Sequence, residues 1–223
     1  MTTEPVPVGT LTDAELAVLS RPRTRVGPRP VMPVWAGLDG DQRAASARDA
    51  RASLVARRLL DHDCRSRTDL RRDLRSVLVL RESAAAVVAV ARVAPAASDH
   101  WYAHLVGDVV LLERVRDDGV HSFALTAAVT LPTLVAAAVL HPSATGPPAS
   151  GPEAETDWLR ADLELRSTTR TAWRAWVSGP GGTWSLRPGR TTPYGDPVAP
   201  GDVRRMLADL LAPLTGSGTS RDG

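Results

Sequence analysis

The sequence contains no lysine, and all 27 of its basic side chains are arginines. The use of arginine in place of lysine is typical of high-GC codon usage, so the arginine count alone does not indicate nucleic-acid binding. The formal net charge is only +2, which is too small for a protein that binds polyanions generally. The charge balance therefore argues against nucleic acid as the partner.

Cysteine is almost absent, since Cys64 is the only one. A disulfide within the chain and a cysteine-based metal site are therefore excluded, which fits a reducing cytoplasm. The first residues lack the charged and apolar segments of a secretory signal. The longest apolar runs, such as residues 84–93, are too short to cross a bilayer. We therefore expect a cytoplasmic protein that is not inserted in a membrane.

Aromatic side chains are few, but six of them are tryptophan against two tyrosines and one phenylalanine. The hydrophobic fraction of 43 % is sufficient for a sizeable core in a chain of 223 residues. We expect a loose tail at residues 1–9, a single α+β domain at residues 10–214 and a disordered tail at residues 215–223. Within the domain, halves at residues 10–142 and 155–214 would be joined by a Pro/Gly loop.

Capping signals and helical spacing predict three helices in the first third of the sequence. Thr12 and Glu15 form a capping-box pattern at the start of a short helix. A Pro-rich segment at residues 21–40 predicts an extended connector. Two Arg-rich helices are then predicted at residues 41–60 and 68–80.

Four strands are predicted in the middle of the sequence, because apolar runs alternate there with Gly-Asp and Asp-Gly turns. The turns lie at Gly107-Asp108 and at residues 117–119. The predicted strands span residues 84–93, 101–106, 109–115 and 120–125. This pattern predicts an antiparallel meander.

The last part of the sequence predicts a helix, a hairpin and a final helix. A Pro/Gly/Ser loop at residues 141–156 follows the first helix, and a Gly-rich turn joins the hairpin strands. The predicted helices span residues 130–140 and 202–212, and the predicted strands span residues 167–177 and 183–187. The fold class is therefore α+β, with a central antiparallel sheet, built from the meander and the C-terminal hairpin, flanked by helices.

The two late helices share one apolar spacing, i, i+3, i+4, i+7, i+8, and each follows a hairpin. A quasi-two-fold repeat of strand–turn–strand–helix is one interpretation. The alternative is that any amphipathic helix shows this spacing.

No group of residues has the sequence context of a catalytic or metal site. His100 and His104 are four residues apart, but on a strand this spacing places them roughly 13 Å from each other. Cys64 lies in a polar segment between two predicted helices, which is typical of an incidental thiol. The sequence therefore predicts no metal, no cofactor and no enzymatic activity.

Glu113 and His121 lie on neighbouring strands of the predicted meander, in the arrangement of an acid–base pair. No serine or cysteine in a nucleophile context accompanies them. We therefore expect a surface pair on the polar side of the sheet.

The Arg-rich helices at residues 41–80 leave a DNA-binding regulator as an alternative function. Aspartates interleave with these arginines, as in Asp69 and Asp73. Alternating charges are typical of a solvated helix face, and the acids would repel phosphate.

Alternation along the predicted C-terminal hairpin separates its side chains onto two faces. Trp173 falls on the more apolar side, which predicts that it faces the core. The opposite side would face solvent and carries the predicted partner-binding residues Trp176, Arg170, Arg174 and Arg187. Exposed tryptophan beside arginine is typical of protein–protein hot spots.

The chain resembles the EspG family of type VII secretion-associated proteins in its layout. Residues 11–19 (LTDAELAVL) are similar to that family's opening "LT..EL..L", and residues 107–111 (GDVVL) occupy the meander. Residues 198–202 (VAPGD) resemble its late "v.PaD" entry into a Leu-rich helix. The resemblance covers residues 11–213.

This resemblance implies an α+β fold with a central antiparallel sheet and a quasi-two-fold. It also implies a cytoplasmic, non-enzymatic chaperone-like adaptor for secreted PE–PPE proteins. We therefore expect a binding protein that captures a PE–PPE-like or other helical secreted partner through a sheet surface.

Overall fold

An antiparallel sheet of eight strands lies at the centre of the fold. A computed structural model describes residues 4–19, 30–60, 72–146, 157–186 and 195–215. The strands are β1 (Val6–Thr12), β2 (Ala86–Ala94), β3 (Ala97–Val106), β4 (Val109–Arg116), β5 (Val120–Ala127), β6 (Leu159–Ser167), β7 (Thr171–Gly179) and β8 (Gly182–Leu186). Their order across the sheet is β1-β5-β4-β3-β2-β6-β7-β8. The predicted α+β class with a central antiparallel sheet is confirmed.

Six α-helices accompany the sheet in the described ranges. They are α1 (Asp13–Leu19), α2 (Pro33–Ala36), α3 (Gly40–Ala56), α4 (Arg72–Ser83), α5 (Leu131–Val139) and α6 (Pro200–Thr215). The predicted capping box at α1 is present, since Thr12 N donates to Glu15 Oε2 and Glu15 N donates to Thr12 Oγ1. The prediction of an extended connector at residues 21–40 is wrong for its described part, because Pro33 starts the short helix α2.

The predicted meander corresponds to β2, β3, β4 and β5. Its turns contain Gly107 and Gly119, whose φ angles are +57° and +74°. Glycine adopts this left-handed conformation without steric cost. The turn residues therefore identified this part of the topology correctly.

Two strands, β1 and β6, were not predicted. Residues 6–9, expected to be part of a loose tail, lie in β1, which pairs with β5 through a bulge between Pro7 and Gly9. Strand β6 pairs with β2 on one side and with β7 on the other. It therefore joins the meander to the C-terminal hairpin in one continuous sheet.

The two faces of the sheet carry different helices. Helices α5 and α6 pack on one face, which we call the α5/α6 face, against Val88, Leu163 and other buried strand residues. The opposite face, termed the α4 face, has Leu111 and Phe123 in a second cluster with α1, α3 and α4. Both late helices thus lie on one face and contact each other, as a strand–turn–strand–helix repeat requires. The repeat itself and the single-domain boundaries stay predictions.

Both outer strands of the sheet have bonded backbone groups on their outer edges. On β1, Thr12 N donates to Glu15, and Thr10 O accepts from Arg57 Nη2 at 2.7 Å. Along β8, Ser185 N donates to Asp196 O and Val198 N donates to Thr183 O, both at 2.9 Å. No helix in the described ranges is long and apolar enough to span a membrane.

Candidate functional site

The register of β7 shows which of its tryptophans faces solvent. Trp176 pairs with Ala161 and Arg174 pairs with Leu163. Directly opposite residues of antiparallel strands share a face, so Trp176 and Arg174 lie on the α5/α6 face. Trp176 is 0 % exposed, whereas Trp173 is 37 % exposed. The prediction that Trp176 faces solvent and Trp173 faces the core is therefore wrong.

The unpredicted strand β6 is the physical reason for this reversal. Its residues Leu159, Ala161, Leu163 and Leu165 alternate with polar residues and are all buried. They fix the core side of β6, and its register then fixes the core side of β7. The hairpin taken alone had suggested the opposite side, because Ala175 and Val177 flank Trp173 with apolar atoms.

Arg170 and Arg174 are exposed and border one cavity between β7 and α6. The cavity has a volume of about 360 Å³. The α6 residues that line it are Asp202, Arg205, Met206, Asp209 and Leu210. Two of the predicted partner-binding arginines are thus close together, while Trp176 lies beneath the surface on the same face and Arg187 lies outside the described residues.

Five ionisable side chains form a buried network on the α4 face. Arg81 of α4 donates to both oxygens of Glu113, from Nε at 2.8 Å and from Nη2 at 3.0 Å. His104 Nε2 lies 2.8 Å from Glu113 Oε2, and His121 Nδ1 lies 2.7 Å from Glu113 Oε1. His121 Nε2 lies 2.7 Å from Asp13 Oδ1. All five residues are buried, with at most 5 % of their surface exposed.

His121 bridges two carboxyl groups, with Nδ1 at Glu113 and Nε2 at Asp13. Asp13 uses its second oxygen to accept from the backbone N–H groups of Val34 and Trp35 at the start of α2. The network thereby links β4 and β5 to α1, α2 and α4.

Glu113 remains ionised although it is fully buried. Desolvation is the largest influence and raises its pKa, but the charge of Arg81 and the hydrogen bonds from His104 and His121 together outweigh it. The pKa of Glu113 is therefore held well below its usual value of 4.5. On the adjacent strand, burial raises the pKa of Tyr102 to about 12, and its hydroxyl oxygen accepts from Val31 N at 3.1 Å.

The expectation of a surface pair between Glu113 and His121 is therefore wrong. His121 shares its face of β5 with Phe123, and α1 and α4 cover that face. The alternation of His121, Phe123 and Leu125 carries a signal of burial, whereas Asp13 and Arg81 are too distant in sequence to be recognised as partners. These side chains are buried and bonded to one another within the fold.

His100 and His104 lie on either side of Tyr102 along β3. Their ring centroids are 6.5 Å and 6.3 Å from that of Tyr102, and His104 also belongs to the buried network. Across the described ranges, no three His, Cys, Asp or Glu side chains are placed to hold a metal ion. Cys64 lies outside the described residues.

The Arg-rich helices predicted at residues 41–80 are described only in part. Arg57, just after α3, donates to Glu15 at 2.8 Å and is therefore engaged within the fold. Arg43, Arg48 and Arg51 are exposed beside the acidic Asp41 and Asp49. DNA binding by this region stays a prediction.

The comparisons with known proteins indicate a relationship at the level of the fold. No protein-family model matches the sequence, and no curated protein matches it either. The structure is similar to that of the type VII secretion system chaperone EspG5 of Mycobacterium tuberculosis, solved in complex with the PE25–PPE41 dimer. The TM-score is 0.57 at 12 % identity, and the match covers 92 % of this chain and 96 % of that chain. The fold is EspG-like.

Proposed function

We propose that this EspG-like protein is a non-enzymatic cytoplasmic chaperone or adaptor that captures a helical secreted protein, such as a PE–PPE dimer. The observation that carries the proposal is the extent of the structural similarity, which covers nearly all of both chains. A match of this extent covers most of the chain rather than one shared motif. Because fold alone does not determine function, the chemistry of this chain has to agree with the role.

The buried charge network supports a binding role rather than catalysis. Its convergent ionisable groups, Asp13, Glu113 and His121, are each at most 2 % exposed. Their hydrogen bonds are made to one another and to the backbone of α2. General acid–base catalysis requires contact with a substrate proton, and these groups have no such access.

Co-purification tests the proposed function directly. The tagged full-length protein would be co-expressed with each PE–PPE pair encoded in its own genome, and complexes would be separated by size-exclusion chromatography with light scattering. We expect at least one pair to elute with the tagged protein as a stoichiometric complex. A cytoplasmic helical bundle of similar size serves as the control partner and should elute separately. Failure of every pair to co-elute, with the tagged protein folded, would contradict the proposal.

A further inference from the structure

Arginines on the sheet fall into two groups by their partners. Each described strand arginine other than Arg174 is paired with a carboxylate: Arg92 and Arg114 with Asp99, Arg116 with Asp118, Arg160 with Asp162 and Arg166 with Glu164. Arg174 on β7 and Arg170 just before it have no carboxylate partner among the described residues. Arg174 Nη1 donates to Trp173 O at 2.7 Å, and Arg170 Nη1 reaches Leu210 O only at 3.4 Å. Most of their N–H donors therefore remain available.

These two arginines border the same cavity, and its composition favours one kind of ligand. Arg205 and Asp202 on α6 pair with each other at 3.1 Å, so their charges offset. The remaining charges in the lining are Arg170, Arg174 and Asp209, which leaves one net positive charge. Met206 and Leu210 supply the apolar part of the lining. The site thus combines guanidinium donors with a surface suited to methylene groups.

We propose that the cavity between β7 and α6 binds acidic side chains of the partner protein, with Arg170 and Arg174 donating to their carboxylates. This inference rests on the proposed function and names the chemistry by which the partner is recognised. Guanidinium groups form strong, directional hydrogen bonds with carboxylates, and the stems of Asp or Glu contact Met206 and Leu210.

A pair of labelled helical peptides tests the proposed site on the full-length protein. One alanine-based peptide carries two glutamates seven residues apart, and its twin carries glutamines at the same positions. We expect fluorescence anisotropy to show binding of the glutamate peptide ~10-fold tighter than that of its twin, as charge-assisted hydrogen bonds predict. Equal binding of the two peptides would overturn the proposal.

The double variant Arg170→Gln/Arg174→Gln should lose this preference for the glutamate peptide. The matched control is Arg160→Gln/Arg166→Gln, which removes the same charge from the neighbouring strand on the opposite face and should keep the preference. Thermal melting confirms that both double variants are folded. If Arg170→Gln/Arg174→Gln keeps the preference for the glutamate peptide, the assignment to this cavity is wrong. It is also wrong if both double variants lose the preference equally. If free glutarate, added at the same carboxylate concentration, displaces the glutamate peptide, the cavity is instead a site for small anions.

The co-purification experiment separates this inference from the proposed function. If the wild type captures a PE–PPE pair and Arg170→Gln/Arg174→Gln captures it equally well, the cavity is not the recognition site and the function stands. If the wild type captures no pair, the proposed function fails whatever the peptides show. We expect the first double variant to lose most of the captured partner and the control variant to retain it.

Discussion

At the residue scale, the most constrained group is the buried carboxylate of Glu113. Placing a charge in the interior is costly, and pairing it with Arg81 offsets that cost only when the geometry is good and the remaining lone pairs are bonded. Arg81, His104 and His121 together satisfy both Glu113 oxygens. The network therefore depends strongly on each of its members.

Replacing Glu113 by glutamine should lower the free energy of unfolding by about 3–5 kcal/mol, because it leaves Arg81 and His121 buried without their carboxylate. Urea denaturation measures the change. The matched control is Glu164→Gln, which removes an acid paired with Arg166 on the same face of the sheet, at 31 % side-chain exposure. That change should cost about 0–1 kcal/mol. Similar losses for the two variants would contradict the role given to the network.

At the element scale, the orientation of β7 depends on β6. The sequence predicted the meander and every described α-helix except α2, because Gly-Asp and Asp-Gly turns and helical spacing are local signals. Strand β6 also has a local signal in the alternation of its leucines, but the predicted strand began only at residue 167. The pairing of β6 with β2, and hence the face on which Trp176 lies, depends on contacts between residues 67 to 81 positions apart.

The two tryptophans of β7 provide a test of this orientation. Trp176→Ala should reduce the free energy of unfolding by about 3–5 kcal/mol, because it empties a fully buried site beneath α5 and α6. Trp173→Ala removes a partly exposed side chain and should cost about 1 kcal/mol or less. Chemical denaturation of both variants measures the difference. A larger loss for Trp173→Ala would reverse the faces assigned here.

The candidate site shows the same limit of sequence-based prediction. Arg170 and Arg174 were identified from the strand alternation, because residues four apart on a strand share a face. Their neighbours Met206 and Asp209 lie on α6, and nothing in the sequence places that helix beside β7. The partners of Glu113 are likewise spread over β3, β5 and α4, so only the three-dimensional structure brings them together.

At the scale of the whole molecule, Glu113 and Tyr102 contribute to the pH dependence of stability from opposite ends of the pH scale. The pKa of Glu113 is lowered in the fold, so its contribution is present above the usual value of 4.5 and is lost as the pH falls through the folded value. The pKa of Tyr102 is raised to about 12, so its contribution is present below its usual value of 10.0 and is lost as the pH rises towards 12. Stability is therefore expected to be broad around neutral pH.

We expect the free energy of unfolding, measured by denaturant titration across pH, to fall below pH 4.5 and again above pH 10. Glu113→Gln should flatten the acid part of the profile, because no carboxylate remains to be protonated. Tyr102→Phe should flatten the alkaline part, while its lost hydrogen bond to Val31 lowers the whole curve. An unchanged acid slope in Glu113→Gln would show that other carboxylates control it.

The bonded outer edges of β1 and β8 have a consequence for self-association. An open sheet usually offers its outermost strands as templates on which another chain can grow, which leads to fibrils. Here Arg57 and Glu15 occupy backbone groups of β1, Pro7 removes an N–H donor from it, and residues 196–198 cover part of β8. Joining two copies end to end would first require breaking these bonds. The fold therefore resists polymerisation through the edges of its sheet.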